Sequence, residues 1–272
     1  MKRVFQIKKR RSKDAIVHLP CKERRKKKIE MENRNYADLS RRLEALSASD
    51  LCVETAGLVE GYPVYLVHLR GDTDAPRRIL LTAGVHGDEP AGVEAALRFL
   101  ERDHTHLLQH FQFCVLPCIN PTGYVRNTRE SSRGVDINRA FEENEVAEVQ
   151  LIKKVLGNQQ FDCFVDFHED WEATGFYLYE GKRDGQWIGE KIIQRVETIG
   201  PIDPDTDAED PPLSRGVYQV ASDWGTRGLA PYILQFHVSH VFICETPTSW
   251  DIDRRAAAHL AALDTVLAYF FH

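Results

Sequence analysis

An α/β fold with a mixed, largely parallel central sheet flanked by helices is predicted by three features of this 272-residue sequence. Four short apolar runs, at 79–85, 111–118, 161–167 and 241–244, have the length and composition of core strands covered on both faces. Stretches with helical spacing stand between them, as at 89–102, where Val93, Ala96, Leu97 and Leu100 recur. Each run also stops at or just before a polar residue: His86, Asn120, His168 and Glu245. In open α/β sheets, ligands bind at the carboxyl ends of strands, so residues far apart in sequence can meet there.

Composition sets the limits. With 43% hydrophobic and 28% charged residues the chain reads as a globular protein, and no run approaches the ~20 apolar residues of a membrane span. Residues 1–30 hold 13 Lys/Arg against 3 Asp/Glu, which leaves 22 basic and 38 acidic residues in 31–272, a net charge of −16. So acidic a body argues against nucleic acid as the partner of the catalytic domain, because phosphate contacts need a concentrated basic surface. The six cysteines lack C-x-x-C spacing, and most lie in or beside apolar runs, as buried free thiols of a reducing, cytoplasmic setting would.

In order along the chain, residues 1–30 contain KKRRSK and KERRKKK without an apolar h-region. This excludes a secretory signal and predicts a disordered basic extension before a single catalytic domain, 31–272. The stretch MENRNYADLSRRLEAL suits an amphipathic helix, and Met31 is the expected natural start. Two strands around a turn near Gly61-Tyr62-Pro63 follow, then the strand at 79–85 and the helix at 89–102. After the strand at 111–118, Asn120-Pro121-Thr122-Gly123 is a turn signature. An arginine-rich loop covers 124–139 and a helix 145–156, followed by the strand at 161–167. A strand at 176–179, a helix at 186–198, an acidic proline-rich excursion at 201–212, the strand at 241–244 and an alanine-rich helix at 254–271 complete the reading.

The chemistry centres on TAGVHGDEPAG. His86 and Glu89, three residues apart at a strand-to-helix corner, can converge on one metal ion, and a second histidine would complete a His₂Glu zinc site. His168 in VDFHED is best placed, with Asp166 on the same strand face. Zinc with three protein ligands keeps a position for water, and hydrolysis then needs a base. Glu245, a carboxylate ending the run VFIC before Pro247, is the candidate. Negative charge developing on an attacked carbonyl needs a cation, and the loop from Asn120 supplies Arg126, Arg129, Arg133 and Arg139. Singly, each residue has an ordinary account: Glu89 suits a helix N-terminus, His168 a strand end, and the arginines a solvated loop. It is the ordered set that points to a site.

That ordered set, GVHGDEP, INPTG, Arg129, GVDINRAF, DFH and ETP between Leu80 and Pro247, resembles the zinc carboxypeptidase superfamily, which also contains the succinylglutamate desuccinylases and aspartoacylases. The resemblance implies a zinc carboxypeptidase-like (phosphorylase/hydrolase-like) fold. It implies His86, Glu89 and His168 as ligands of one zinc ion, Glu245 as general base and Arg129 as the oxyanion-stabilising arginine. Asn138 and Arg139 would bind the substrate carboxylate, and Asp136 would support a ligand histidine. Asp88, Asp166, Glu169 and Asp170 could serve a second ion only through a bridging carboxylate, and the reading favours one ion. Two departures stand out: Tyr218 and Tyr232 compete for the family's mobile tyrosine and neither is assigned, and Ala140 follows Arg139 where many relatives have asparagine. The expected activity is that of a metallocarboxypeptidase releasing a C-terminal residue from a short peptide. The alternatives are an N-acyl amino acid deacylase and a non-catalytic zinc or peptide-binding protein.

Overall fold

Four parallel strands form the middle of the sheet, and they are the four apolar runs of the sequence. The computed structural model describes residues 34–46, 49–71, 77–204, 212–220 and 224–271. The strands are β1 (Leu51–Val59), β2 (Tyr62–Leu69), β3 (Arg77–Ala83), β4 (Phe111–Leu116), β5 (Cys163–Asp170), β6 (Tyr177–Lys182), β7 (Val217–Gln219) and β8 (His240–Pro247). They form one eight-stranded sheet in the order β1-β2-β4-β3-β5-β8-β6-β7. Neighbours from β4 to β8 run parallel. β1 and β2 form an antiparallel hairpin at one edge, and β6 joins β8 antiparallel with β7 beside it at the other.

Helices cover both faces, which is why the middle strands read as continuous apolar runs rather than alternating ones. On one face α1 (Tyr36–Glu44), α2 (Pro90–Leu100), α5 (Gly189–Glu197) and α7 (Ile252–Phe270) share one apolar core with Val165 and Phe167 of β5. On the other, α4 (Ala147–Leu156) and α6 (Leu229–Phe236) pack around Phe164. Consecutive β5 residues therefore serve opposite layers, so His168 and Glu169 point to different sides of the sheet.

Several expectations need correction. Asn120-Pro121-Thr122-Gly123 is not a free turn but the start of a short helix, α3 (Pro121–Arg126), which takes up the first residues of the arginine-rich loop. Asn120 caps it by accepting from Gly123 N at 2.8 Å, and Pro121 occupies the first helical position, where its missing N–H costs nothing. Glu245 does not end its strand: β8 continues to Pro247, and the Thr248 N–H closes the pairing on the Asp170 carbonyl at 3.0 Å. The first helix begins at Tyr36, while Met31 and the basic extension lie outside the described residues. Part of the acidic excursion, 205–211, also lies outside them. Two elements escaped the pattern, the three-residue β7 and the largely apolar α6.

Cys114, Cys118, Cys163 and Cys244 are free and buried, and Cys52 is free and exposed, so no disulfide forms among them. Among the described residues no helix is long and apolar enough to cross a membrane.

Candidate metal centre

β3 ends at Ala83, and the chain turns through Gly84 to Asp88 before α2 begins at Pro90. That corner carries His86, and Glu89 stands at the N-cap position of α2. Gly87 is obligatory, because a Cβ there would lie 1.9 Å from the Gly123 carbonyl carbon. The glycines of GVHGDEP and NPTG are thus the two sides of one close backbone crossing, which sets His86 beside the loop bearing Arg129.

His168 reaches the same place from β5. Its Nδ1 lies 2.9 Å from Glu89 Oε2, and His86 Nδ1 lies 2.6 Å from Glu89 Oε1. All three residues are buried, and their ligating atoms fall within 4.8 Å of one another. Each ring also has a carboxylate behind it. His168 Nε2 is 2.9 Å from Asp166 Oδ2, while Thr82 Oγ1 donates to Asp166 Oδ1 at 2.5 Å. His86 Nε2 is 3.4 Å from Asp136 Oδ1. Such partners fix the tautomer and orientation of a ligand imidazole. Two imidazole nitrogens and one carboxylate oxygen, backed in this way, fit a zinc-type divalent ion.

Charge follows geometry. Burial opposes charge on Glu89, but His86 and His168 outweigh it and hold the carboxyl well below its usual range. Burial also opposes charge on His168, yet Asp166 and Glu89 carry the imidazole well above the ordinary histidine value. At Asp136 burial is again overcome, here by the His86 hydrogen bond and the charge of Arg129, and the carboxyl is held low.

The remaining expected residues divide clearly. Arg129 sits beside His86 and Glu89: its Nη1 is 3.2 Å from His86 Nδ1 and 3.6 Å from Glu89 Oε1, and its Nε donates to Asp136 Oδ2 at 3.1 Å. Arg126 faces away, toward Glu60 and the Ser132 carbonyl. Asn138 and Arg139 lie on a single 3₁₀ turn (Ile137–Arg139) capped by Asp136. Asn138 Oδ1 accepts from Leu229 N at 2.8 Å, and Arg139 is exposed.

Glu245 pairs in register with His168 across the parallel β5–β8 ladder, so the two side chains stand on the same face, one strand spacing apart at about 4.8 Å. Burial pushes its carboxyl up to about 8; His168 opposes this, while Glu89, Asp170 and Asp166 add to it.

Sequence reasoning overlooked the other side of Glu245. Tyr177 of β6 is its antiparallel partner and donates its OH to Asp170 Oδ2 at 2.9 Å. Tyr179 and Tyr218 lie 5.7 Å from the Tyr177 ring, and Trp224 lies 5.2 Å from Tyr179. Tyr218 therefore belongs to an aromatic wall beside Glu245. Tyr232 packs instead on Phe141 and Phe236. Strand register brings these rings together, and no spacing in the sequence signals it. The spacing puts Asp166 on the strand face of His168, and only the fold shows its carboxylate against the His168 ring.

Residues 75–201 match the sequence profile of the succinylglutamate desuccinylase/aspartoacylase catalytic domain. A Shewanella amazonensis structure assigned as a metallopeptidase shares the fold with a TM-score of 0.74 and 24% identity, over 88% of this chain and 94% of that one. The chain therefore has a carboxypeptidase-like fold. A second structure of that fold, the Pseudomonas aeruginosa metallo-carboxypeptidase in complex with (2-guanidinoethylmercapto)succinic acid, aligns with a TM-score of 0.63 and 18% identity over 88% of this chain and 70% of that one. Carboxypeptidase SOL1 of Arabidopsis thaliana is 27% identical over 95 residues, 30% of this chain, and the match spans only 19% of that protein's length. His86, Glu89 and His168 fall inside the profile-matched stretch, whereas Glu245 lies beyond it.

Proposed function

We propose that this protein is a member of the zinc carboxypeptidase superfamily, a zinc-dependent carboxypeptidase that hydrolyses the amide bond next to a free carboxylate and releases a C-terminal residue from a short peptide, such as a cell-wall-type peptide. The observation that carries the reading is the register of Glu245 with His168, which sets a carboxylate beside the His86–Glu89–His168 group. Structural zinc needs no such base, which disfavours a non-catalytic binding protein.

When bound, zinc supplies Lewis acidity, which polarises the scissile carbonyl and makes water a better acid. Glu245 takes the proton of the attacking water and returns it to the leaving nitrogen, a task suited to a carboxyl raised above its ordinary range. Arg129 faces the oxygen on which negative charge develops. Asn138 and Arg139 hold the free carboxylate and so orient the scissile bond, while Asp136 and Asp166 hold the ligand rings. The succinic acid derivative carried by the Pseudomonas aeruginosa relative, itself a dicarboxylate, is consistent with such a grip. Free buried thiols suit work in the cytoplasm.

The profile match favours a second reading, an N-acyl amino acid deacylase that applies the same residues to a small acyl substrate. One panel separates the two: purified protein, with and without chelator, assayed on blocked dipeptides, muropeptide-like peptides and N-acylated amino acids. Chelator-sensitive cleavage of peptides is the expected result; cleavage of N-acyl amino acids alone selects the deacylase. Hydrolysis indifferent to chelator, or none at all, defeats both.

A further inference from the structure

A residue at the N-cap of a helix ordinarily turns its side chain back onto the helix's own free N–H groups. Glu89 holds that position on α2 but makes no such bond; its carboxylate points instead to the two imidazoles. The first turn of α2 still has a donor to satisfy, since Pro90 has no N–H and Ala91 N is buried. A different carboxylate meets it. Glu169, on the face of β5 opposite His168, accepts from Ala91 N at 2.5 Å through Oε1. Its other oxygen is held by Arg255 Nη1 of α7, and both side chains are buried. The approach is close: a Cβ on Gly92 would lie 2.8 Å from the Phe167 carbonyl oxygen, so only glycine lets α2 start this near β5.

We infer that Glu169, held by Arg255, is a positioning residue that caps α2 in place of Glu89 and so frees the Glu89 carboxylate for the metal centre. Without it, the unsatisfied Ala91 N–H would draw on the Glu89 carboxylate at the head of its own turn, and a carboxylate folded back onto the helix no longer faces His86 and His168. A single strand thus serves the site on both faces, with His168 toward the centre and Glu169 toward the helix that carries Glu89. The inference rests on reading His86, Glu89 and His168 as the ligands.

The test is zinc affinity, measured by competition with a chromophoric chelator, alongside thermal melting of the metal-free protein. Replacing a buried ion pair with apolar residues of similar volume is often neutral or stabilising, so Glu169→Met/Arg255→Met should melt, metal-free, within a few degrees of the parent. Its zinc affinity should nevertheless fall by about tenfold or more, the usual effect of losing a group that orients a ligand. Glu169→Gln/Arg255→Met keeps a carbonyl oxygen for Ala91 N and should stay within about threefold of the parent. Unchanged affinity in the Met/Met variant overturns the inference. If that variant does not fold, the Gln/Met variant decides: a tenfold loss there overturns the capping role, and near-parental affinity supports it. Failure of the parent to bind zinc is a separate result, which removes the ligand reading and this inference with it.

Discussion

Replacing Asp166 with asparagine tests the charge arrangement behind the candidate ligands. The new side chain would still accept from Thr82 Oγ1 but would present an amide, rather than a carboxylate, to His168 Nε2, now 2.9 Å from Asp166 Oδ2. A hydrogen bond to a charged group contributes about 1.5–3 kcal/mol, so the His168 pKa should fall by roughly one to two units. Metal binding requires a ring nitrogen free of its proton, so below the His168 pKa the apparent zinc affinity should rise about tenfold per pH unit and level off above it. The assay is chelator competition across pH for parent and Asp166→Asn. The break in log affinity should move about one to two units toward lower pH in the variant, and affinity above the break should drop about 10–100-fold as the ring loses its orienting partner. Water that ionises on the metal contributes to both proteins and cancels in the difference. A break that stays in place, or moves to higher pH, refutes the idea that Asp166 holds His168 protonated.

Other outcomes follow from the same geometry. Glu245→Gln should retain zinc to within a few-fold while turnover falls by about 10²–10⁴, the usual worth of a general base; near-parental kcat removes the role assigned to Glu245. Arg139→Met should lower kcat/KM by about 10–100-fold, mostly through KM, if its guanidinium grips the substrate carboxylate; steady-state kinetics with an unchanged KM would place the grip elsewhere. The stability of the metal-free protein should depend on pH in both directions. Glu89 and Asp136 are depressed from their usual 4.5 and 3.8, so their contribution is present above those values and is lost as pH falls through the lowered ones. His168 is raised above 6.5 and Glu245 from 4.5 to about 8, so their contributions are complete below the ordinary values and are lost as pH rises through the raised ones. Denaturant midpoints should therefore peak at about pH 5 and decline toward alkaline pH, less steeply in Asp166→Asn. A midpoint that climbs steadily to pH 9 contradicts these signs.

Much of this was legible in the chain because the physics behind it is local. A strand buried on both faces must be apolar throughout, so 79–85, 111–118, 161–167 and 241–244 announced the middle of the sheet before their order was known. His86 and Glu89 are separated by one corner, and Asp166 lies two residues from His168, so short-range spacing placed each pair together. Helix ends are legible too, although the Asn-Pro pair at 120–121 carries the signature of a turn as well as that of the helix it begins.

What the sequence could not contain is register. Glu245 stands beside His168 only because β8 lies beside β5 with the two residues in register; a slip of one residue would turn it to the other face. The same ladder brings Tyr177 to Glu245 and gathers Tyr179, Tyr218 and Trp224 into one wall, although nothing in their spacing relates them. Arg129 and Arg126 are alike as loop arginines, and the crossing at Gly87 and Gly123 is what sets one of them beside His86 and leaves the other facing Glu60. Glu169 looked like a spare acid beside a ligand until the packing of α2 on β5 set the Ala91 N–H against it. Residue type and local spacing therefore determined which groups could do the chemistry. Which of them meet was decided by long-range pairing and packing, because those contacts join segments whose separation along the chain carries no trace of their distance in space.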